Sequence, residues 1–240
     1  MLKLFKKKTE PVQDSSALPT HIAFIMDGNR RWARRRGLPP MEGHRRGGNV
    51  LEPLIRHLIL KRGVRTLSFY TFSNENWQRP KEEVDFLMNL IVSEMPQLRR
   101  VAVEEHARVK FIGRRDRLSP DIVRLFEKIE HDTVGGARGT VVFAIDYGGK
   151  DELVRAANAA MANGAPVDEK SFEAFMDTGD LAPIDLVVRT SGEQRLSNFM
   201  LWKLAYAEIL FITEDWPDVN DKVCDRILDE FANRSRRFGK

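Results

Sequence analysis

Asp27, Gly28, Asn29, Arg30 and Arg31 follow one another at the end of the apolar run Ile22-Ala23-Phe24-Ile25-Met26, with Trp32, Arg34, Arg35 and Arg36 just behind. A carboxylate, a glycine, an amide and several guanidiniums in one place suit a magnesium diphosphate. The carboxylate takes the hard cation, and the arginines and free amides take phosphate oxygens. The alternative reading of this stretch alone is a strand, a turn and a helix whose basic first turn only faces water. A second stretch holds Arg189, Ser191, Gly192, Arg195 and Ser197. Two guanidiniums, two hydroxyls and a glycine N–H make a second anion site. Two such sites beside a carboxylate point to the joining of two phosphorylated molecules.

These residues need a scaffold that brings their loops together. The run before Asp27 is too short to span a membrane and has the length of a buried strand, so Asp27 lies at its carboxyl end, the edge where open α/β sheets bind ligands. Gly28 supplies the turn, and Asn29 is expected to cap a helix that starts near Arg30. Further strands are predicted at Thr66–Phe72, Val109–Ile112, Thr140–Ile145, Ile184–Val188 and, shortest, Glu208–Phe211. Ser73 to Pro80 reads as a polar loop, and Asp146-Tyr147-Gly148-Gly149 as a turn that puts another carboxylate beyond a strand end.

Between the strands, helical periodicity covers His44–Lys61 with Pro53 as a kink or late start, Glu83 to about Arg100 with Pro96 as a bend, and residues 120–132. It returns over 151–162, over 171–176, and from Val219 to about Arg234. The stripe of Val84, Leu87, Met88, Ile91, Met95 and Leu98 packs a core or walls a tunnel for a long apolar ligand; sequence leaves both open. Alternation of strands and helices gives an α/β fold, a single domain with a largely parallel central sheet flanked by helices.

At 240 residues, 42% hydrophobic and 31% charged, the chain has the composition of a globular protein with a full core. The net charge of +4 suits a phosphorylated ligand or an anionic membrane surface. Cys224 is the only cysteine, which excludes an internal disulfide, and its place on an apolar helical stripe points to packing. Residues 1–18, with Lys6-Lys7-Lys8 and no apolar core behind them, read as a disordered basic tail, drawn weakly to anionic lipid or without a role. The remainder, 19–240, forms the domain. There is no phosphate-binding Gly-x-x-x-x-Gly-Lys loop, no Gly-x-Gly-x-x-Gly fingerprint and no His/Cys cluster at zinc spacing, so ATP, NAD and zinc chemistry are disfavoured.

Four blocks in order, His21 to Ala33, Phe72 to Pro80, Asp146 to Gly149 and Arg189 to Glu208, resemble the cis-prenyltransferases, undecaprenyl diphosphate synthases above all. The resemblance implies condensation of isopentenyl diphosphate onto an allylic diphosphate such as farnesyl diphosphate, in a Mg2+-dependent homodimer with a hydrophobic tunnel. It implies Asp27, Asn29, Ser73 and Asn76 in catalysis, with Asp27 and Glu208 as metal ligands. It assigns Gly28, Asn29, Arg30, Arg31, Trp32, His44, Trp77 and Arg79 to the allylic diphosphate, and Arg189, Arg195 and Ser197 to isopentenyl diphosphate. Trp77 falls in the loop that closes over substrate, and with Phe24 and the long helix is expected to exclude water. Arg237-Phe238-Gly239 is similar to the family's tail motif.

The implied product is a long-chain carrier lipid for cell-wall glycans, made by a cytoplasmic protein that is at most peripheral at the inner membrane face. A short- or medium-chain synthase and a non-catalytic partner subunit are the alternatives. Joint retention of Asp27, Asn29, Arg189, Arg195 and Glu208 argues against the partner subunit. An unrelated phosphate- or nucleic-acid-binding protein would leave the ordered blocks unexplained, so no nucleic acid is expected as a partner. The chain departs from the bacterial pattern at Arg30, at Pro40, where an arginine is common, at Asn74 for serine and at Asp146 for asparagine. Arg34, Arg35 and Arg36 are the candidates to compensate for Pro40.

Overall fold

The computed structural model describes residues 18–234, so the basic tail and the Arg237-Phe238-Gly239 motif lie outside the described residues. Short β-branched and aromatic runs form six strands: β1 (His21–Ile25), β2 (Thr66–Ser73), β3 (Arg108–Ile112), β4 (Thr140–Tyr147), β5 (Leu186–Arg189) and β6 (Glu208–Phe211). They make one sheet in the order β3-β4-β2-β1-β5-β6, and every pairing is parallel. The chain leaves β1 toward β2 and returns on the other side at β5. The strand order therefore reverses between β1 and β5, where a crevice opens beyond the strands' carboxyl ends.

Alternation along each strand feeds two cores. Ile22 and Phe24 of β1 face one cluster, while Ala23 and Ile25 face a smaller one closed by Leu181, Phe199 and Met200. In the first, Phe24, Phe69, Phe143 and Phe111 stand in register across β1, β2, β4 and β3. Their rings stack at 5.6, 5.6 and 5.8 Å between centroids. Each such pair contributes about 0.5–1.5 kcal/mol beyond its buried area. Phe24 is thus core and not a wall of the site.

The helices are α1 (Asn29–Arg35), α2 (Pro40–Ile55), α3 (Lys81–Glu104), α4 (Pro120–Thr133), α5 (Gly149–Asn163), α6 (Glu169–Glu173) and α7 (Asp221–Ala232). Several details differ from the sequence reading. Gly28, at φ 101°, caps α1 and no side chain caps it, so Asn29 is the first helical residue. Helix α2 starts at Pro40, a position that suits proline because no helical partner is lost there. It contains Pro53 and runs on as a π-helical turn over Arg56–Lys61. Ser73 ends β2, and the polar loop after it is a 3₁₀ turn, Asn74–Gln78, closed by reciprocal Ser73 and Asn76 capping. Asp146 lies inside β4, not beyond it, and is fully buried. Cys224 packs in α7, and burial pushes its thiol up to about 12.

Candidate active site

At the crevice, the loops after β1 and β5 are bonded to each other. Arg189, the last residue of β5 and buried, donates from Nη2 to the Asp27 carboxylate at 2.9 Å. Its Nη1 donates to Ser197 Oγ at 2.7 Å and to the Arg195 carbonyl. Thr190 Oγ1 accepts the Asp27 N–H at 2.8 Å. The two anion sites read separately from the sequence are therefore one constellation joined by a guanidinium. Burial pushes the Asp27 carboxyl up, but the Arg189 hydrogen bond, the Gly28 N–H and Arg31 outweigh it and hold it below the ordinary carboxylate value.

Arg31 lies 3.2 Å from Asp27 and donates to Glu193 at 2.7 Å, and Arg195 pairs with the same Glu193. Glu83 gathers three other bases: Arg79 at 3.0 Å, His44 at 3.6 Å and Arg30 at 3.7 Å. Burial, with Arg79 beside it, lowers the His44 pKa to about 4, so the imidazole is neutral at pH 7. Each basic group already faces a carboxylate, and an incoming diphosphate exchanges one anion for another.

The mouth of the site opens into a cavity of about 680 Å³. Asp27, Asn29, His44, Ser73, Asn76 and Arg79 line it, as do Arg189, Arg195 and Ser197. Leu87, Leu90, Ile91 and Met95 of α3 form its apolar wall, so the α3 stripe lines a cavity as well as packing a core. A second cavity of about 700 Å³ lies between α2 and α3, and the two share Gly48, Leu51, Glu94, Met95 and Phe143.

Gly28 cannot carry a side chain, since its φ is positive and a Cβ would stand 2.5 Å from Asp215 Oδ1. Gly47 leaves room for Asn29, whose Oδ1 would lie 2.4 Å from a Cβ there. That Oδ1 is buried without a hydrogen-bond partner in the wall of the cavity. An ionised carboxylate and an unpartnered amide oxygen fit a cation that takes one or two protein oxygens and completes its shell from phosphates and water. Among the described residues no group of three acidic, His or Cys side chains forms a protein-only metal cage.

Other expected site residues stand elsewhere. Trp32 donates to Asp218 at 2.7 Å and carries Arg36 over its ring. Trp77 donates to Asp146 at 2.8 Å. Neither tryptophan lines the cavity, nor do Gly28, Arg30 and Arg31, which border it through their neighbours. Of the arginines after α1's first turn, Arg35 pairs with buried Asp215 and Arg36 with Asp218, and neither lines the cavity. Glu208 opens β6 opposite Leu186, which pairs with Ile22, five residues before Asp27. That is about 16 Å along the strands. Within one chain Glu208 is thus not brought to Asp27, and it accepts from Arg234 at 3.0 Å.

Sequence reading passed over Asp215, Glu83 and Tyr70. Asp215 accepts from Ser191 and Arg35 behind Gly28, and Tyr70 donates to the Ser197 carbonyl at 3.3 Å. Asp215 stands in the polar Thr213-Glu214-Asp215 run just after β6, a signal of the kind that revealed Asp27. The loop these groups brace holds Ser191, Ser197 and Asn198 at positive φ, strain of the sort that collects at functional sites.

The sequence profile described as "Putative undecaprenyl diphosphate synthase" matches residues 25–239. An isoprenyl transferase of Aquifex aeolicus is 43% identical, over 94% of this chain and 98% of its own. One from Neisseria meningitidis serogroup A is 41% identical, over 98% and 95%. Among solved structures, lavandulyl diphosphate synthase from Lavandula x intermedia in complex with dimethylallyl diphosphate superposes with a TM-score of 0.86 at 31% identity, over 94% of this chain and all of that one. A probable undecaprenyl diphosphate synthase from Campylobacter jejuni gives 0.75 at 31% identity, over 92% and 99%.

Proposed function

The chain belongs to the undecaprenyl diphosphate synthase family of prenyl-transferring enzymes, and we propose that it condenses isopentenyl diphosphate repeatedly onto farnesyl diphosphate to make a long polyprenyl diphosphate. The observation that carries this reading is the Arg189 bridge between Asp27 and Ser197 at the mouth of a cavity whose far wall is apolar.

In this reading the allylic diphosphate lies among Asn29, His44, Asn76 and Arg79, with Arg30 and Arg31 behind. Isopentenyl diphosphate lies on Arg189, Arg195 and Ser197, which orient its double bond toward the allylic carbon. The allylic C–O bond breaks, the double bond of isopentenyl diphosphate attacks that carbon, and one proton is lost as the new cis double bond forms. Asp27 and Asn29 would hold Mg2+, which when bound stabilises the charge developing on the departing diphosphate. Ser73 and Asn29 line the cavity where the proton leaves. The apolar α3 wall keeps water from the carbocation-like state.

A long-chain product is part of the proposal, and the two cavities support it. They share five lining residues, and in this reading the growing chain passes from the diphosphate sites through the first cavity into the second, between α2 and α3. A short-chain product, as the name of the lavender relative records for that protein, is the competing outcome. A homodimer is part of the proposal. β6 is an edge strand with Ile209 partly exposed, and Tyr206 stands exposed just before it, as an interface between copies requires. None of the described helices is long and apolar enough to cross a membrane. We place the enzyme in the cytoplasm, touching the inner membrane face as its product leaves for use as a cell-wall carrier lipid. The test is incubation with Mg2+, farnesyl diphosphate and labelled isopentenyl diphosphate, with products resolved by length.

A further inference from the structure

Asn74 and Asp146, two positions at which the chain departs from the pattern it resembles, meet on the same arginine. Arg117, in the connection between β3 and α4, donates from Nε to Asp146 Oδ2 at 2.8 Å and from Nη2 to Asp146 Oδ1. The same Nη2 donates to Asn74 Oδ1 at 3.1 Å. Trp77 Nε1 donates to Asp146 Oδ1 at 2.8 Å, and the guanidinium carbon stands 5.8 Å from the Trp77 ring centroid.

The backbone serves this arrangement. The register between β2 and β4 slips after Tyr70, leaving Asp146 unpaired between Ile145 and Tyr147 at φ 50°. Bulges of this kind re-aim a side chain. Here the re-aimed group is a carboxylate with no exposure, beside an arginine that is 40% exposed. Such a buried charge is tolerable only with a well-formed partner, and a two-nitrogen arginine contact is the strongest available.

None of Asn74, Trp77, Arg117 and Asp146 lines the 680 Å³ cavity, whereas Ser73, Asn76 and Arg79 of the same turn do. No residue of the 3₁₀ turn is fully buried; Trp77 packs half-buried on the core with its ring 5.1 Å from that of Phe72, and its indole N–H is held by Asp146. We propose that Arg117 and Asp146 are positioning residues. Gripping the turn by Trp77 and Asn74, they present Asn76 and Arg79 to the allylic diphosphate. This rests on the proposed function only for the identity of the ligand.

Three variants test it: Asp146→Asn, which keeps an acceptor for Trp77, Arg117→Gln, and the double variant, which leaves no unpaired buried charge and so folds even where Arg117→Gln does not. Two readouts are needed: kcat and KM for farnesyl and isopentenyl diphosphates, and hydrogen exchange of the backbone amides of 73–79 without substrate. The double variant should raise the farnesyl diphosphate KM about tenfold, the loss of one charge-assisted anchor, with kcat nearly unchanged. Exchange should speed up in 73–79 and stay unchanged in β1.

Wild-type kinetics in the double variant would overturn the proposal, because Arg117 would then only neutralise Asp146. Unaltered exchange in 73–79, or a loss in kcat alone, would also overturn it. If the wild-type protein turns over no allylic diphosphate, the functional reading fails while the exchange data still decide whether the anchor exists.

Discussion

Arg189 donates to the Asp27 carboxylate at 2.9 Å, tying the end of β5 to the end of β1 across the point where the strand order reverses. Asp27→Ala removes the ionised oxygens on which the proposed chemistry depends. At saturating substrates kcat should fall by about 10²–10³ or more. Arg189 keeps Ser197 and a carbonyl as acceptors, so far-UV circular dichroism should be unchanged and the melting temperature only a few degrees lower. Retained turnover would contradict the role given to Asp27.

Arg195 is more exposed than Arg189, and among the described residues Glu193 is its one carboxylate partner. Arg195→Ala should raise the KM for isopentenyl diphosphate by roughly ten- to a hundredfold, the worth of one charge-assisted contact of about 1.5–3 kcal/mol. The KM for the allylic substrate should move much less. Steady-state kinetics with each substrate varied in turn checks this.

Gly48 lines both cavities, and a Cβ added there would meet nothing nearer than Glu94 Cγ at 3.9 Å. Gly48→Leu should therefore fold, gaining up to about 1 kcal/mol from helix propensity. Its side chain should also block the passage, so the product ladder should end several isoprene units earlier than for the parent. An unchanged ladder would mean that the growing chain takes another route.

Two histidines weaken the fold in acid. His21 is fully buried between the Ala182 carbonyl at 2.9 Å and Ser68 Oγ at 2.7 Å, and burial lowers its pKa from 6.5 to about 4. His44 is lowered to about 4 as well. Between these values the unfolded chain binds more protons than the folded one. The histidines' contribution to stability should therefore be constant above about pH 6.5 and fall as pH drops toward 4, with His21 contributing about 3 kcal/mol. Melting temperatures across this range provide the check; a flat profile down to pH 4.5 would contradict the buried neutral state.

The apolar runs made the sheet legible, because strands buried on both faces need uninterrupted hydrophobic sequence, and Asp27 and Arg189 were legible as polar residues at their ends. The Asn29 cap was misread, since Gly28 in the left-handed region ends the turn one residue earlier and leaves the amide free to face the cavity. Trp32 and Trp77 carry indole N–H groups that any acid can engage, and only the fold shows these to be Asp218 and Asp146. Glu208 beside Asp27 was an implication of the resemblance alone, and no pattern in the residues carries it. Parallel register puts one at the start of a strand and the other beyond the end of its neighbour. Asp215 gains its meaning from Arg35, 180 residues away, and Glu83 from His44 and Arg30 on other helices, which local pattern does not carry.

The most direct measurement is the product ladder formed from farnesyl diphosphate and labelled isopentenyl diphosphate with Mg2+. A ladder of cis-prenyl products ending near undecaprenyl length is the expected result. A single short product would contradict the long-chain reading, and no incorporation from farnesyl, geranyl or geranylgeranyl diphosphate would contradict the assignment of catalysis to this chain alone.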